Sequence, residues 1–305
     1  MLLTDMIKKR ILIIGSNGML GQRLTEYFSK QKDVELLCTS AETKSFIPDI
    51  EYQQLDITQK HEVKNIITKF FPDFIINAAA YTNVDKAETE RELCWKINVN
   101  GVDNISFYSW TIDSHLIHIS SDYIFDGKNG PYTEIDLPNP ISYYGRTKLA
   151  SENSIKASGT RFTIIRSNVL YGPSKYGRPD FVKWVYNSLK NSQKIKIVTD
   201  QINNPTYIDD LVNGISNVIK NKKEGIYNIG GKELLSRFEF TKIIAKMFNL
   251  NTELIIPILT EELNQPAKRP LKSGLINLKA ETELNYKPKS IIETLELMKK
   301  ELELD

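Results

Sequence analysis

Short apolar runs alternate with segments of helical periodicity through the first half of the chain. Five runs rich in β-branched residues predict strands, near Ile11, Val34, Phe74, Leu116 and Thr163. Four segments with apolar residues at helical spacing predict helices, near Leu20, Glu62, Arg91 and Tyr144. Strands that alternate with helices build a parallel sheet covered on both faces, so the pattern predicts a doubly wound α/β fold of the Rossmann type.

After residue 167 helical segments predominate. Helices are predicted at 181–189, 209–219 and 238–248 and from about residue 290, and 255–258 is grouped with this mostly helical remainder. Residues 195–198 predict a short strand. The apolar run at 226–230 predicts one more buried strand, which returns to the sheet.

The composition is that of an ordinary globular protein and excludes several classes of function. The chain has 305 residues, 41% of them hydrophobic, and a formal net charge of +2. It has no basic stripe for nucleic acid and no apolar run long enough for a membrane span, so we expect a cytoplasmic protein. Cys38 and Cys94 predict buried thiols, and the histidines lack metal-ligand spacing. We predict no metal site.

The first predicted strand runs directly into a glycine-rich turn that begins a helix. Gly15, Gly18 and Gly21 follow a G-x-x-G-x-x-G spacing. Bare backbone lets a pyrophosphate approach, and the N–H groups and dipole of the helix N-terminus bind it. We therefore predict a dinucleotide-binding domain at 1–167 with a returning segment at about 206–230, and a smaller, mostly helical substrate domain made of 168–205 and 231–305.

The end of the second strand bears on which dinucleotide binds. An acidic residue there hydrogen-bonds the adenosine ribose and selects NAD, whereas this chain has Thr39 and Ser40. Without a carboxylate at that point a 2′-phosphate is allowed, and Ser40 or Lys44 can contact it. The prediction is NADPH, with NADH as the alternative because Glu42 lies close by.

Two further segments complete the predicted coenzyme site. Asp56 follows a short extended segment, where its carboxylate suits an adenine amino group or, equally, the N-cap of the next helix. Small residues after the strand near Phe74 let a flat ring lie close. The predicted coenzyme contacts are Gly15, Asn17, Gly18, Met19, Leu20, Gly21, Thr39, Ser40, Asp56, Ile57, Ala78, Ala79, Ala80, Tyr81, Asn98, Tyr144 and Lys148.

Two later segments bring together a hydroxyl, a phenol and an amine. The strand near Leu116 delivers Ser121 to the carboxyl edge of the sheet. Tyr144 and Lys148 lie one helical turn apart on the same face of a predicted helix. A neighbouring ammonium favours the phenolate, so we expect a lowered pKa for Tyr144 and a role in proton transfer. Ser121 adds a hydrogen bond to the same reacting oxygen.

These motifs together resemble the extended short-chain dehydrogenase/reductases, and within them the dTDP-4-dehydrorhamnose reductase family. The resemblance implies that Ser121, Tyr144 and Lys148 form a catalytic triad, with Lys148 also holding the nicotinamide ribose. It implies that NADPH reduces C4 of a nucleotide-linked 4-keto-6-deoxy sugar to give a 6-deoxyhexose for surface polysaccharide. The implied substrate contacts are Ser121, Asp122, Tyr123, Asn168, Val169 and Arg269, the last of them over the nucleotide diphosphate.

Three departures from related patterns narrow this prediction. Dehydratases of this fold have Asp-Glu after the Ser or Thr, whereas Asp122 is followed here by Tyr123, which argues against dehydration. Rhamnose-forming reductases usually place a tryptophan against the sugar where this chain has Val169. Some relatives bind a metal between subunits through glutamates, and Gln22 and Arg23 occupy that region here. A homodimer remains open, but a metal-bridged one is not predicted.

Two other functions stay open. The regulatory subunit of methionine adenosyltransferase resembles the segment from Ser120 to Lys148 and also lacks the tryptophan, which leaves a non-catalytic NADP-binding module as an alternative. The other alternative is a reductase or epimerase that acts on a GDP-linked or UDP-linked sugar.

Overall fold

The computed structural model describes residues 8–302, whose centre is a seven-stranded sheet. The strands are β1 (Lys9–Ile14), β2 (Val34–Ser40), β3 (Tyr52–Gln54), β4 (Phe74–Asn77), β5 (His115–Ser121), β6 (Phe162–Ser167), β7 (Leu170–Tyr171), β8 (Ile195–Val198), β9 (Ile202–Asn203), β10 (Thr206–Tyr207), β11 (Gly225–Ile229), β12 (Leu235–Ser236) and β13 (Ile255–Ile258). The helices are α1 (Met19–Phe28), α2 (Lys60–Phe70), α3 (Arg91–Trp95), α4 (Gly101–Thr111), α5 (Tyr143–Ala157), α6 (Phe181–Lys190), α7 (Ile208–Asn221), α8 (Arg237–Met247), α9 (Leu278–Leu284) and α10 (Ile291–Glu301).

Shorter helical pieces lie between these elements. A π-helical segment at Lys96–Asn100 joins α3 to α4. Short 3₁₀ turns occupy Lys86–Glu88, Asp122–Ile124, Thr252–Leu254 and Thr260–Leu263. The turn at Asp122–Ile124 follows β5 directly, so it stands at the carboxyl edge of the sheet.

The large sheet is parallel throughout and has the strand order β11-β6-β5-β4-β1-β2-β3. The order reverses beside β1, with β2 and β3 on one side and the other strands on the opposite side. In open α/β sheets ligands bind at the carboxyl edge next to such a reversal. The predicted Rossmann-type fold is confirmed, and β11 pairs with β6 as the returning strand.

Both faces of the sheet are covered by helices. On β1, Ile11 and Ile13 pack in a cluster with residues of α1 and α7. Leu12 and Ile14 pack in a second cluster with residues of α2 and α4. Successive side chains of a strand point to opposite faces, which is why an unbroken apolar run supplies both clusters. No helix in the described part of the chain is long and apolar enough to cross a bilayer.

The segment grouped with the helical remainder, 255–258, is in fact a strand. It is β13, and it pairs in parallel with β8 in a two-stranded sheet against α8. Its sequence is two isoleucines, a proline and a third isoleucine. Proline lacks a backbone donor, which a two-stranded sheet tolerates because each strand has a free edge.

Candidate active site

A cavity of about 640 Å³ opens at the carboxyl edge of the sheet. It extends from the turns after β1 and β2, past the turn after β4, to the turns after β5 and β6. Most of the predicted site residues line it, namely Gly15, Gly18, Met19, Leu20, Gly21, Ser40, Asp56, Ile57, Ala78, Ala79, Ala80, Ser121, Asp122, Tyr123, Tyr144, Lys148, Asn168 and Val169. Asn17, Thr39, Tyr81, Asn98 and Arg269 lie outside its wall.

The glycine turn leaves no room for side chains. Gly15 has a φ of +84°, and a Cβ there would lie 2.6 Å from the Ala79 nitrogen. A Cβ on Gly21 would lie 2.1 Å from the Gly15 carbonyl oxygen, which holds the first turn of α1 against the loop. The N-cap Gly18 has no side chain to bond the first N–H groups of α1. This bare helix N-terminus in a cavity wall fits the pyrophosphate of a dinucleotide.

Thr39 stabilises the glycine turn through hydrogen bonds to its backbone. Its carbonyl oxygen accepts hydrogen bonds from the Gly15 and Ser16 nitrogens at 2.7 and 2.9 Å. Its buried hydroxyl donates to the Ile13 carbonyl oxygen at 3.1 Å. The hydroxyl is therefore turned into β1, and Thr39 acts here through its backbone.

A carboxylate stands in the cavity wall at the end of β2. Glu42 lines the cavity beside Ser40, whose hydroxyl donates to the carboxylate. The Asn17 amide also donates to Glu42, at 3.2 Å, and to the Lys44 carbonyl oxygen at 2.9 Å. Burial works to raise the pKa of Glu42, but hydrogen bonds from Ser40, from its own backbone and from Asn17 together outweigh burial and lower the pKa. The sequence placed this charge nearby, and the fold brings it into the wall.

Asp56 also reaches the cavity wall and does not cap α2. The N-cap of α2 is Gln59. The Asp56 carboxylate instead accepts from the Thr58 nitrogen at 2.9 Å, within the turn that precedes the helix. The N-cap alternative was therefore wrong, and the carboxylate remains in the wall of the cavity.

Asn98 braces the loop after β4. Its side-chain oxygen accepts from the Tyr81 nitrogen at 2.7 Å, and its amide nitrogen donates to the Tyr81 carbonyl oxygen at 3.1 Å. The same nitrogen donates to the Thr147 hydroxyl on α5 at 3.0 Å. Because Asn98 is buried and committed to these partners, it ties the loop to the helix that carries Tyr144. Direct coenzyme contacts of Asn98 and Tyr81 stay predictions.

The start of α5 presents Tyr144 to the cavity. Ser142 caps the helix by accepting from the Gly145 nitrogen at 3.1 Å. Gly145 lets the helix approach the turn after β5, because a Cβ there would lie 2.1 Å from the Tyr123 carbonyl oxygen. The rings of Tyr123 and Tyr144 meet edge to face with centroids 5.6 Å apart. The fold therefore places Tyr144, Lys148 and Ser121 in the wall of one cavity, and their roles as a catalytic triad stay a prediction.

The predicted lowering of the Tyr144 pKa is wrong for this structure. Burial raises the pKa of Tyr144, the Asp122 charge adds to the rise, and the Ser121 hydroxyl offsets part of it. The Lys148 amine donates to the Ile119 carbonyl oxygen at 2.6 Å and lies 3.3 Å from His118 Nε2. Burial lowers the pKa of Lys148 to about 8. Burial is the largest cause of both shifts, and it favours the neutral form of each group.

Asp122 holds the Ser121 hydroxyl. Ser121 donates to one carboxylate oxygen at 3.0 Å and accepts from the Tyr123 nitrogen at 3.2 Å. The other carboxylate oxygen accepts from the Ser273 hydroxyl at 2.6 Å. Burial raises the pKa of Asp122, which is 2% exposed. Sequence reasoning missed Ser273, which lies 151 residues away along the chain.

Arg269 is held beside the site by Asp85. Its guanidinium donates to both Asp85 oxygens, at 2.9 and 2.7 Å. Arg237, which the sequence reasoning also missed, lies near enough to Tyr123 that both arginine charges act to lower the phenol's pKa, although burial outweighs them. Within residues 8–302 no three His, Cys, Asp or Glu side chains are grouped to hold a metal.

Comparison with known proteins gives consistent matches over nearly the whole chain. A family model described as the RmlD substrate binding domain matches residues 9–304. The chain is 32% identical to dTDP-4-dehydrorhamnose reductase of Aggregatibacter actinomycetemcomitans, over 92% of this chain and 94% of the relative. It is 28% identical to methionine adenosyltransferase 2 subunit beta of Rattus norvegicus, over 90% and 82%. The solved structure of dTDP-4-dehydrorhamnose reductase from Bacillus anthracis in complex with NADP has a TM-score of 0.86 at 33% identity, over 96% of this chain and 99% of that one.

Proposed function

The chain belongs to the RmlD substrate-binding domain family, and from that premise we propose that it is an NAD(P)H-dependent reductase of a nucleotide-linked 4-keto-6-deoxy sugar. One observation carries the proposal: Tyr144 and Lys148 line the same cavity as the glycine turn. A proton donor and a dinucleotide site in one cavity suit the reduction of a ketone. The product is a nucleotide-activated 6-deoxyhexose for surface polysaccharide, with dTDP as the nucleotide by analogy with the reductase relatives.

The proposed coenzyme is NADPH, which when bound supplies the hydride. Gly15, Gly18 and Ser40 line the cavity; the glycine turn would hold the pyrophosphate of the coenzyme and Ser40 would face its adenosine ribose. The NADP bound by the Bacillus anthracis reductase supports this choice. NADH remains the alternative, because the Glu42 carboxylate lies in the same wall and opposes a 2′-phosphate.

Tyr144 is the proposed proton donor. Because burial raises its pKa, the phenol carries its proton at neutral pH and is ready to protonate the carbonyl oxygen of the substrate. The Ser121 proton is already donated to Asp122, so Ser121 acts on the substrate oxygen only after rotating away from that hydrogen bond. Lys148, one turn along α5, supplies the positive charge that compensates the phenolate after transfer.

Asn168, Val169 and Arg269 are the proposed substrate contacts beyond Ser121, Asp122 and Tyr123. Asn168 and Val169, at the start of the proposed substrate domain of 168–205 and 231–305, line the same cavity as Tyr144. Val169 has no flat face for stacking on a sugar, so we infer that hydrogen bonds, rather than stacking, orient the hexose at this position. Arg269, oriented by Asp85, is proposed to meet the diphosphate through its forked donors.

The test is coenzyme oxidation by the purified protein with a panel of 4-keto-6-deoxy sugars linked to dTDP, UDP or GDP. We expect absorbance of the reduced nicotinamide to fall only when a 4-keto sugar is present. Tyr144→Phe should abolish turnover while coenzyme still binds. Tyr143→Phe is the matched control, because Tyr143 is the preceding residue of α5 and lies outside the cavity wall. Unchanged turnover in Tyr144→Phe would refute the proton-donor assignment.

A second candidate is a coenzyme-binding subunit that does not turn over sugars. The 28% identity to a methionine adenosyltransferase subunit over 90% of the chain favours it. It predicts tight coenzyme binding, no turnover with any sugar of the panel, and a stoichiometric complex with a methionine adenosyltransferase catalytic subunit. Turnover of any one 4-keto sugar at an ordinary enzymatic rate would exclude this candidate.

A further inference from the structure

His118 lies directly beneath Lys148 in the core of the protein. It extends from β5, is 0% exposed, and is surrounded by three polar side chains. Its Nδ1 lies 3.2 Å from the Asn77 amide nitrogen, and its Nε2 lies 3.2 Å from the Ser151 hydroxyl and 3.3 Å from the Lys148 amine. Along the sequence His118 has no metal-ligand spacing, and nothing in its local pattern indicates a link to Lys148.

We propose that His118 is a positioning residue for Lys148: its neutral imidazole, protonated at Nε2, directs the protons of the lysine amine toward the Ile119 carbonyl oxygen and makes the charged form less favourable without abolishing it, so that Lys148 can still supply positive charge. The proposal rests on the proposed function, because that function gives Lys148 its task. It concerns a residue that touches neither coenzyme nor substrate and acts through the lysine alone.

The hydrogen-bond partners determine which ring nitrogen carries the proton. The Asn77 side-chain oxygen accepts from the Ala79 nitrogen at 3.2 Å, so the amide nitrogen is the end that faces His118. An amide nitrogen only donates, and His118 Nδ1 must therefore be the acceptor. The Ser151 hydroxyl donates to the Lys148 carbonyl oxygen at 2.7 Å, which leaves its oxygen to accept from Nε2. Both contacts require the tautomer with hydrogen on Nε2.

This tautomer places a donor next to the lysine amine. The one Nε2 hydrogen, which the Ser151 oxygen accepts, also faces the Lys148 amine. An ammonium has three protons and no lone pair to share this hydrogen, whereas a neutral amine has a lone pair. Lys148 is 2% exposed, and the acceptor that its amine reaches within the described chain is the Ile119 carbonyl oxygen, at 2.6 Å. The imidazole therefore fixes the amine against β5 and favours the neutral form, in the same direction as burial.

The other titratable groups around Lys148 are few. Tyr144 and Glu152 lie one turn before and after it on α5, and Cys94 faces it from α3. Glu152 and Cys94 raise the pKa of Lys148 against the larger effect of burial. Glu152 is already paired with Arg166 at 2.8 Å. Glu152 and Cys94 favour the charged form of Lys148, so its lowered pKa is the result of burial, and the proposed effect of His118 acts in the same direction.

Nitrogen-15 NMR of histidine-labelled protein tests the proposal without turnover. The chain has three histidines, which single substitutions assign. From about pH 6 to about pH 9 we expect His118 to stay neutral with hydrogen on Nε2, and its ring signals to shift as Lys148 titrates near its pKa of about 8. That shift should vanish in Lys148→Met. His115, equally buried but bonded to the Thr163 hydroxyl at 2.8 Å, is the internal control and should show no such step.

A variant series adds a functional measurement. His118→Leu removes the donor, and we expect an alkaline limb of the pH profile about one pH unit higher and coenzyme binding weakened about fivefold. His118→Gln, whose amide can return a donor near the Nε2 position, should restore both. His115→Leu should change neither, which separates positioning from general destabilisation of β5.

Two results would overturn the proposal. One is an Nδ1-protonated or positively charged His118 in the wild-type protein, and the other is a ring signal that does not respond to Lys148 titration. If the NMR result holds but no sugar is reduced, the proposed function fails while the positioning by His118 stands. The two failures are therefore distinguishable.

Discussion

Gly145→Ala is expected to push Tyr144 on α5 away from the turn that carries Asp122 and Tyr123. Gly145 follows Tyr144 in the first turn of α5, where its Cα approaches the turn that carries Asp122 and Tyr123. The new Cβ would lie 2.1 Å from the Tyr123 carbonyl oxygen and 3.0 Å from its carbonyl carbon. Both contacts are with backbone, so no side chain can rotate to relieve them.

The magnitude follows from this overlap. Ordinary contact begins at 3.4 Å, so the helix and the turn must move apart by about 1 Å. A misplacement of about 1 Å between reacting groups costs about 10²-fold in rate. Alanine gains at most about 1 kcal/mol over glycine in helix propensity, which does not restore the geometry. We therefore expect a fall in kcat of about 10²-fold, with coenzyme affinity largely retained because the glycine turn is on β1 and α1.

The assay compares kcat and coenzyme Kd for the wild-type protein, Gly145→Ala and a helical control. Gly214→Ala in α7 is the control, because the nearest atom to its Cβ would be the terminal Cδ1 of Ile229, at 2.8 Å, which can move, and the other neighbours lie at ordinary contact distance. It should leave kcat within about twofold of wild type. A Gly145→Ala variant with wild-type kcat would show that the close approach of α5 to the Tyr123 carbonyl does not set the catalytic geometry.

Three further predictions concern charged groups. Glu152→Ala leaves the Arg166 guanidinium, whose side chain is 2% exposed, without its carboxylate, and should lower the free energy of unfolding by about 3 to 5 kcal/mol, read from the urea midpoint at constant m-value. A change in the free energy of unfolding of less than about 1 kcal/mol would contradict this expectation. The pKa of Lys148 falls from 10.5 to about 8 on folding, so its charge costs stability below pH 8 and the cost disappears as pH rises toward 10.5. Lys148→Met should therefore be inactive yet up to about 3 kcal/mol more stable than the wild type at neutral pH. Denaturant titrations should show this difference in stability shrinking as the pH rises. A variant that is no more stable than the wild type at neutral pH would contradict the burial argument. Arg269→Ala should raise KM for the nucleotide sugar about tenfold with kcat nearly unchanged. The control is Lys268→Ala, at the exposed neighbouring residue, which should change neither constant. Equal effects of the two substitutions would reject a specific contact between Arg269 and the diphosphate.

Local patterns accounted for much of the fold. The apolar runs of β1, β4 and β5 and the spacing of Gly15, Gly18 and Gly21 are properties of neighbouring residues, and each appears where it was predicted. The strand at 255–258 was missed because a short apolar run has no period that separates strand from helix. Its pairing with β8 depends on residues about sixty positions away.

Strand and helix periodicity were enough to predict the type of sheet, the glycine turn, and the placement of Ser121, Tyr144 and Lys148 at the carboxyl edge. The pKa shifts of Tyr144 and Lys148 and the partners of Asp122 became visible only in the packed molecule. These depend on how much water burial removes and on contacts such as the one with Ser273, 151 residues away along the chain. Desolvation is a property of the packed molecule, and no spacing along the chain encodes its size.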